Sequence, residues 1–210
     1  MYTMNMKDTL DKIEKSKQIP LMNAIIKEFA NHGYQKASTN QMVKDAGISK
    51  GLLFHYFGNK KNMFEVAFVY VIRIVMDGLQ ESNYLDISDI FEFILHSMHT
   101  KVKVMKKHPD SYSFLLRVYN DNDPFVKDII VKYKNEMVDE AWSSLIERAD
   151  TYKFKDPNDI PLLLELITYA SYGYIETNQK LLQDDIDAVI KNFEAYFIML
   201  RKRFYKDEYL

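Results

Sequence analysis

The sequence has no cysteine, which excludes a disulfide scaffold, a thiol nucleophile and any iron–sulfur or zinc site built on thiolates. We therefore expect a reducing, cytoplasmic location. Turn-forming residues are scarce as well, with 6 Gly and 5 Pro among 210 residues. This scarcity disfavours an all-β chain and favours long helices joined by short loops. Apolar runs stay below the roughly 18 residues of a membrane span, and residues 1–15 lack the apolar stretch of a signal peptide, so no membrane partner is expected.

Charge is distributed unevenly along the chain. The formal net charge is −2, which argues against a general polyanion binder. Residues 1–65, however, carry ten Lys and six acidic residues, a net charge of +4, and the remainder carries −6. A basic region followed by an acidic one is typical of a small phosphate-contacting module attached to a domain that avoids nucleic acid.

The motifs of common enzymes are missing from the sequence. It contains no Gly-rich phosphate loop, no HExxH, no GxSxG and no thiol, and its carboxylates are scattered over helix faces that we expect to be solvated. His96 and His99 are spaced i, i+3 and could hold a metal with Glu92, but surface histidines are the commoner explanation of such a pair. We expect neither an enzyme nor a metal site nor a cofactor.

Helical periodicity runs through the chain. Leu21, Ile25 and Phe29 recur every four residues in a helix that ends near Gly33, and the same period continues afterwards. The nine predicted helices span about residues 21–32, 38–46, 49–55, 59–78, 88–107, 110–119, 124–149, 161–180 and 184–205. The sequence thus predicts an all-α fold without strands. A three-helix head at residues 1–64 is followed by a helical body at 65–210.

The second and third predicted helices have the outline of a helix-turn-helix. Ser38 or Thr39 can cap the second helix, and Gly47 permits the sharp turn after it. Ile48 fills the angle between the helices, and Ser49 caps the third helix, whose free N–H groups can face an anion.

The third helix has two different faces. On a helical wheel Lys50, Gly51, Phe54 and His55 lie on one face and Leu53 on the opposite one. A recognition helix needs this division, because one face packs on the protein and the other enters the major groove of DNA.

Residues 19–68 resemble the DNA-binding domain of TetR-family (tetracycline-repressor-like) transcriptional regulators. The resemblance rests on the stretches Phe29–Tyr34 and Ser38–Phe57, on Asn59-Lys60 and on Met63. It implies a nine-helix TetR-like architecture and a ligand-responsive, dimeric regulator that binds a palindromic operator in double-stranded DNA. The expected action is repression, relieved by an effector. The alternative is an all-helical interaction module that keeps the head fold without specific DNA binding.

The resemblance also implies which residues contact DNA. They are Thr39, Ser49, Lys50, Gly51, Leu52, Phe54, His55, Tyr56 and Lys60. Lys50 is the expected base reader, although a phosphate contact is open to it, and Gly51 permits close approach of the backbone. Thr39 is expected on phosphate or as a plain cap, and Lys60 on phosphate or in solvent. Gly58 and Lys61 depart from the family, which often has a basic and an acidic residue at these positions.

The last two predicted helices are the expected dimer interface. A single helix-turn-helix makes few contacts, so such proteins pair two copies on half-sites about 34–36 Å apart. The predicted interface residues are Leu166, Tyr169, Gly173, Ile186, Ile190, Phe193 and Phe197. An ordinary helix pair within one chain is the alternative.

The middle helices, about residues 85–150, are the expected effector-binding region. Met98, Met105 and Met137 suit a cavity that repacks around a ligand, and the many aromatic residues suggest a small hydrophobic or aromatic effector. The candidate ligand residues are His96, His99, Arg117, Tyr119, Trp142, Tyr172 and Glu176. Most of the aromatic residues are expected to be simple core.

Overall fold

The computed structural model describes residues 2–210, with the side chains of residues 6–133 and 142–210. Its helices are α1 (Tyr2–Leu10), α2 (Lys15–Lys36), α3 (Thr39–Ala46), α4 (Lys50–Phe57), α5 (Lys60–Glu81), α6 (Ile90–Lys107), α7 (Pro109–Tyr119), α8 (Pro124–Arg148), α9 (Ile160–Thr177), α10 (Gln179–Asp184) and α11 (Ile186–Phe204). The predicted all-α class is confirmed, since an antiparallel bridge between Phe154 and Tyr205 is the one extended pairing among the described residues.

Two helices were not predicted. α1 precedes the first predicted helix, and the predicted helix at 161–180 ends earlier, at Thr177, before the short α10. α1 contacts α4, and its Met6 and the following Ile13 are almost fully buried. The Gln18 amide donates to the carbonyls of Leu10 and Ile13 at 2.8 and 3.0 Å, which ends α1 with satisfied carbonyl groups.

The chain forms two compact units. Unit 1 consists of Met1–Asp77 and Val104–Tyr133, and unit 2 of Gly78–Lys103 and Lys134–Leu210. The boundaries therefore fall within α5, α6 and α8, whereas the sequence suggested one division after residue 64. Unit 1 includes a distant segment, 104–133, because α7 packs against α2.

The core of unit 1 is aromatic. Phe64 of α5 lies edge-on to Phe29 of α2 and to Phe114 of α7, with ring centroids 5.0 and 5.4 Å apart. All three side chains are essentially inaccessible to solvent. Edge-to-face pairs of this kind add to the free energy gained by burying the rings. Leu53 and Phe57 of α4 belong to the same cluster, so the core also fixes the predicted recognition helix.

Unit 2 has its own aromatic core and a buried ionic group. The rings of Phe91, Phe154 and Tyr205 pack within 4.7–6.4 Å of one another. Asp89, at the start of α6, is 2% exposed and pairs with Lys153 at 2.9 Å. These contacts, with the backbone hydrogen bonds of residues 153–155 to 204–206, attach the end of α11 to the segment before α9.

Among the described residues, no helix combines the length and the apolar character needed to cross a membrane.

Candidate nucleic-acid interface

The start of α3 is capped by Ser38. Its hydroxyl accepts a hydrogen bond from the Gln41 amide at 3.4 Å, and its own amide donates to the buried carboxylate of Glu28 at 2.7 Å. The sequence left the cap open between Ser38 and Thr39. The structure makes Thr39 the first helical residue, half-exposed, so that its hydroxyl does not serve as the cap.

The turn between α3 and α4 follows the prediction. Gly47 has φ 66° and ψ 31°, the left-handed conformation that glycine adopts at low cost. The amides of Gly47 and Ile48 donate to carbonyls near the end of α3, at 3.4 Å to Lys44 and 3.1 Å to Val43. The Ile48 side chain is half-buried and packs against the core of unit 1.

α4 has the two faces expected of a recognition helix. Ser49 caps it, with its hydroxyl accepting from the Leu52 amide at 3.2 Å. Leu53 and Phe57 are 0% and 2% exposed and fix the inner face. The other face presents exposed Lys50, Gly51 and His55 and half-exposed Leu52 and Phe54, while half-exposed Tyr56 packs against the core of unit 1. The first turns of α3 and α4 thus offer amide groups, and α4 offers one exposed cation, to an anionic partner.

Gly51 stands in an open position. A Cβ atom at this residue meets only the Ser49 hydroxyl, 4.0 Å away, so nothing within the protein requires glycine here. Its missing side chain leaves room on the outer face of α4. This agrees with the predicted close approach of the backbone to DNA, which stays a prediction.

Lys60 was expected to contact phosphate or solvent, but in the structure it binds backbone carbonyls. Its ammonium group donates to the carbonyls of Gln35 and Ala37 at 3.0 and 2.7 Å and lies 5.5 Å from the centre of the Tyr34 ring. Burial lowers the pKa of this amine, with a smaller opposing effect from Glu28. Two of its three N–H groups hold the connection between α2 and α3, so at most one is left for a phosphate.

Lys17 is a residue near the start of α2 that the sequence analysis did not single out. This exposed lysine pairs with Glu14 at 2.8 Å. Its pKa is raised mainly by that hydrogen bond and in smaller part by Tyr56, one of the predicted phosphate contacts. The signal available in the sequence was the excess of lysine in residues 1–65.

The predicted effector residues are divided between the two units. Arg117 and Tyr119 belong to unit 1 and the other five to unit 2. The guanidinium group of Arg117 donates to the carbonyls of Ala30 and Asn31 at the end of a helix, and its role toward an effector stays a prediction.

The remaining effector candidates have internal partners or lie at the surface. His96 hydrogen-bonds to Ser82 at 3.0 Å, His99 pairs with Glu194 at 2.9 Å, and the Trp142 indole donates to Thr168 at 3.0 Å. Tyr172 is half-exposed, Glu176 is exposed, and the side chain of Met137 lies outside the described residues. Across the described residues, His, Asp and Glu form no group of three placed to hold a metal.

The predicted dimer residues divide into core and surface. Ile190, Phe193 and Phe197 of α11 are less than 10% exposed within unit 2, so in the single chain they pack inside that unit and leave little surface for a partner. Ile186 is half-buried. Leu166 and Tyr169 of α9 are 51% and 63% exposed, and Gly173 has nothing within 4 Å of a Cβ atom. The sequence missed exposed Tyr196, Ile198 and Met199 on α11.

The N-terminal region is similar in sequence to known regulatory proteins. Residues 21–67 match the family model of bacterial regulatory proteins of the tetR family. A segment of 54 residues is 37% identical to the HTH-type transcriptional repressor AcnR of Corynebacterium glutamicum. That match covers 26% of this chain and 28% of AcnR, so it spans less than a third of the curated relative.

Solved structures extend the likeness to the whole fold. A TetR-like transcriptional regulator from Rhodococcus sp. RHA1 superposes with a TM-score of 0.64 over 88% of this chain and 95% of its own, at 17% identity. The regulator FadR from Bacillus subtilis, solved with stearoyl-CoA, gives 0.66 over 87% and 96%, at 14% identity. At these identities the likeness concerns the fold alone. Residues 21–67 thus match the tetR family of bacterial regulatory proteins, and the fold that surrounds them is similar to that of solved TetR-like regulators.

Proposed function

We propose that this protein is a dimeric regulator of transcription that binds a palindromic operator and represses until an effector releases it. The observation that carries the DNA-binding part is the geometry of α4. Buried Leu53 and Phe57 hold its inner face, and its outer face presents Lys50, Gly51 and His55. A helix held in this way can enter the major groove, with the amides at the start of α3 directed at the flanking phosphates.

The test is a selection of randomised duplexes on the purified protein at a stated salt concentration, followed by sequencing. We expect a palindrome whose half-sites lie about 10 bp apart or a multiple of that distance. Lys50→Ala should relax the preference at one base position, while Lys127→Ala, which removes an exposed lysine from α8, should not. Recovery of salt-sensitive background binding without a motif would favour the interaction module instead.

The dimer surface that we propose is formed by α9 and α11. Leu162, Leu166 and Tyr169 are exposed at helical spacing on α9. Tyr174 links the two helices, because its ring packs on Phe193 at 4.8 Å and its hydroxyl accepts from the Asn192 amide at 2.7 Å. Exposed Tyr196, Ile198 and Met199 add apolar area on α11. An exposed apolar surface of this extent is typical of an interface.

Repression and effector release are supported by the relatives. AcnR, similar over residues of the DNA-binding domain, is named a repressor, and FadR of similar fold was solved with stearoyl-CoA. We propose that the effector of this protein is recognised through an apolar group, as an acyl chain or an aromatic ring would be. Operator release should be titrated with stearoyl-CoA, with coenzyme A alone and with a sugar phosphate. Release by the sugar phosphate and not by the acyl thioester would contradict an apolar effector.

A further inference from the structure

We propose that Arg117 and Asp121 are positioning residues for DNA binding, which hold the connection between α2 and α3 in the shape that operator recognition requires. This inference rests on the proposed DNA-binding function. It concerns two residues that make no predicted contact with DNA and lie in unit 1, on α7 and directly after it.

The connection begins at a break in α2. Gly33 has φ 68° and ψ 176°, which interrupts the helix between Asn31 and Tyr34. A helix end leaves carbonyl groups without partners on one side, and the segment that follows leaves amide groups without partners on the other. Both kinds of group must be satisfied for the break to persist at one place in the chain.

Arg117 and Asp121 satisfy the two sides separately. The Arg117 guanidinium donates to the Asn31 carbonyl at 2.8 Å and to the Ala30 carbonyl at 3.4 Å. The Asp121 carboxylate accepts from the Tyr34 amide at 3.3 Å. Each charge has the sign that the adjoining helix end favours, a cation at carbonyl groups and an anion at amide groups. Together the two side chains form a clamp around Gly33.

Gly33 is the residue that lets this clamp close. A Cβ atom there would lie 3.4 Å from the Asp121 carboxylate and 3.7 Å from the Arg117 side chain. Asp121 is itself fixed, because its second oxygen accepts from the Asp123 amide at 2.9 Å. The clamp is therefore carried by an ordered turn between α7 and α8.

The far end of the connection leads directly to the helix-turn-helix. Lys60 holds the carbonyls of Gln35 and Ala37, and Glu28 accepts from the amide of Ser38, which caps α3. Residues 30–38 are thus held by charged side chains from one end to the other. A displacement at Gly33 is passed to the start of α3, where backbone amides are proposed to meet phosphate.

Loss of the clamp should reduce specific binding more than general binding to DNA. A head displaced by a fraction of an ångström still attracts phosphates but no longer places Lys50 correctly against base edges. We expect Arg117→Ala to weaken operator affinity by about tenfold, with unchanged affinity for random duplex and an unchanged salt slope. Arg117→Lys, which keeps one donor, should recover part of the loss.

Arg73→Ala is the matched control, because Arg73 is an exposed arginine of unit 1 whose Asp77 partner lies 3.7 Å away on the same helix. Binding is measured where circular dichroism shows every variant to be folded, and Asp121→Asn supplies a second variant. Equal losses for operator and random duplex, or a lower salt slope, would overturn the proposal. So would an Arg117→Ala protein that binds as the control does. If the wild-type protein selects no operator, the proposed DNA-binding function is wrong. If it selects an operator but the Arg117 and Asp121 variants bind as the control does, only the proposed role of these two residues is wrong.

Discussion

At Gly51 we expect the stability of α4 and the proposed binding to DNA to favour different residues. It lies in the first turn of α4, where its Cβ position is open. Alanine is the better helix former, so we expect Gly51→Ala to raise the free energy of unfolding by about 0.5 kcal/mol. The added methyl group lies on the face proposed to meet DNA and should weaken operator binding. Thermal unfolding and a DNA titration of the same preparation measure the two effects.

Ser113→Ala is the control for this prediction. Ser113 is exposed on α7, and alanine there should raise stability without touching the proposed DNA face. If Gly51→Ala bound the operator as tightly as the wild type, the predicted close approach of the α4 backbone would be wrong.

At the scale of helices, the sequence predicted the caps and turns that depend on neighbouring residues. It missed the helices and helix ends that depend on contacts with distant residues. The cap at Ser49 and the turn at Gly47 follow from side chains within four residues, and the structure shows both; it also selects Ser38 from the two caps that the sequence left open. The helix end at Thr177 was missed because no glycine or proline marks it. α1 was missed because a nine-residue helix has few periods to detect, and its burial depends on tertiary contacts.

The start of α6 combines a helix cap with an ion pair, and the combination predicts a pH dependence. Burial by itself would raise the pKa of Asp89, but the hydrogen bond from the Glu92 amide and the charge of Lys153 lower it below the ordinary value. A carboxyl with a lower pKa in the folded state stabilises the fold above its unfolded pKa, about 3.9. This stabilisation is lost as the pH falls through the folded value.

We therefore expect the free energy of unfolding to decrease below about pH 4 in part because Asp89 becomes protonated. Asp89→Asn should lower the free energy of unfolding by about 3 kcal/mol at pH 7, because Lys153 then lacks the negative charge of one buried partner. The variant should also lose this part of the acid dependence. Urea unfolding between pH 3 and 8 measures both effects. Asp207→Asn, at an exposed residue 3.6 Å from Lys155, should change neither, and an equal effect of the two variants would contradict the assignment.

At the scale of the whole molecule, the division into units was beyond sequence reasoning. The apolar pattern of α7 shows that one of its faces is buried but not which helix buries it. Phe114 lies in the core with Phe29 and Phe64, so residues 104–133 join unit 1. The same ambiguity affected α11, whose Phe193 and Phe197 were predicted as interface and are buried in unit 2.

The proposed dimer gives the last prediction. Leu166 is 51% exposed in the single chain, so Leu166→Glu should leave the fold intact while placing a charge in the α9–α11 surface. We expect the variant to sediment as a monomer at concentrations where the wild type is a dimer. Because two linked heads bind two half-sites far more tightly than one head binds alone, operator affinity should fall by about 100-fold. Binding to a duplex with one half-site should be nearly unchanged.

The matched variant is Leu85→Glu, which places the same charge at a leucine that is 49% exposed in unit 2 but lies outside α9 and α11. It should remain a dimer and bind the operator normally, because a charge at an exposed position outside an interface changes little. If Leu166→Glu stayed dimeric while Leu85→Glu dissociated, the interface would lie on another face. Tyr196, Ile198 and Met199 would then be exposed apolar residues without the role proposed for them.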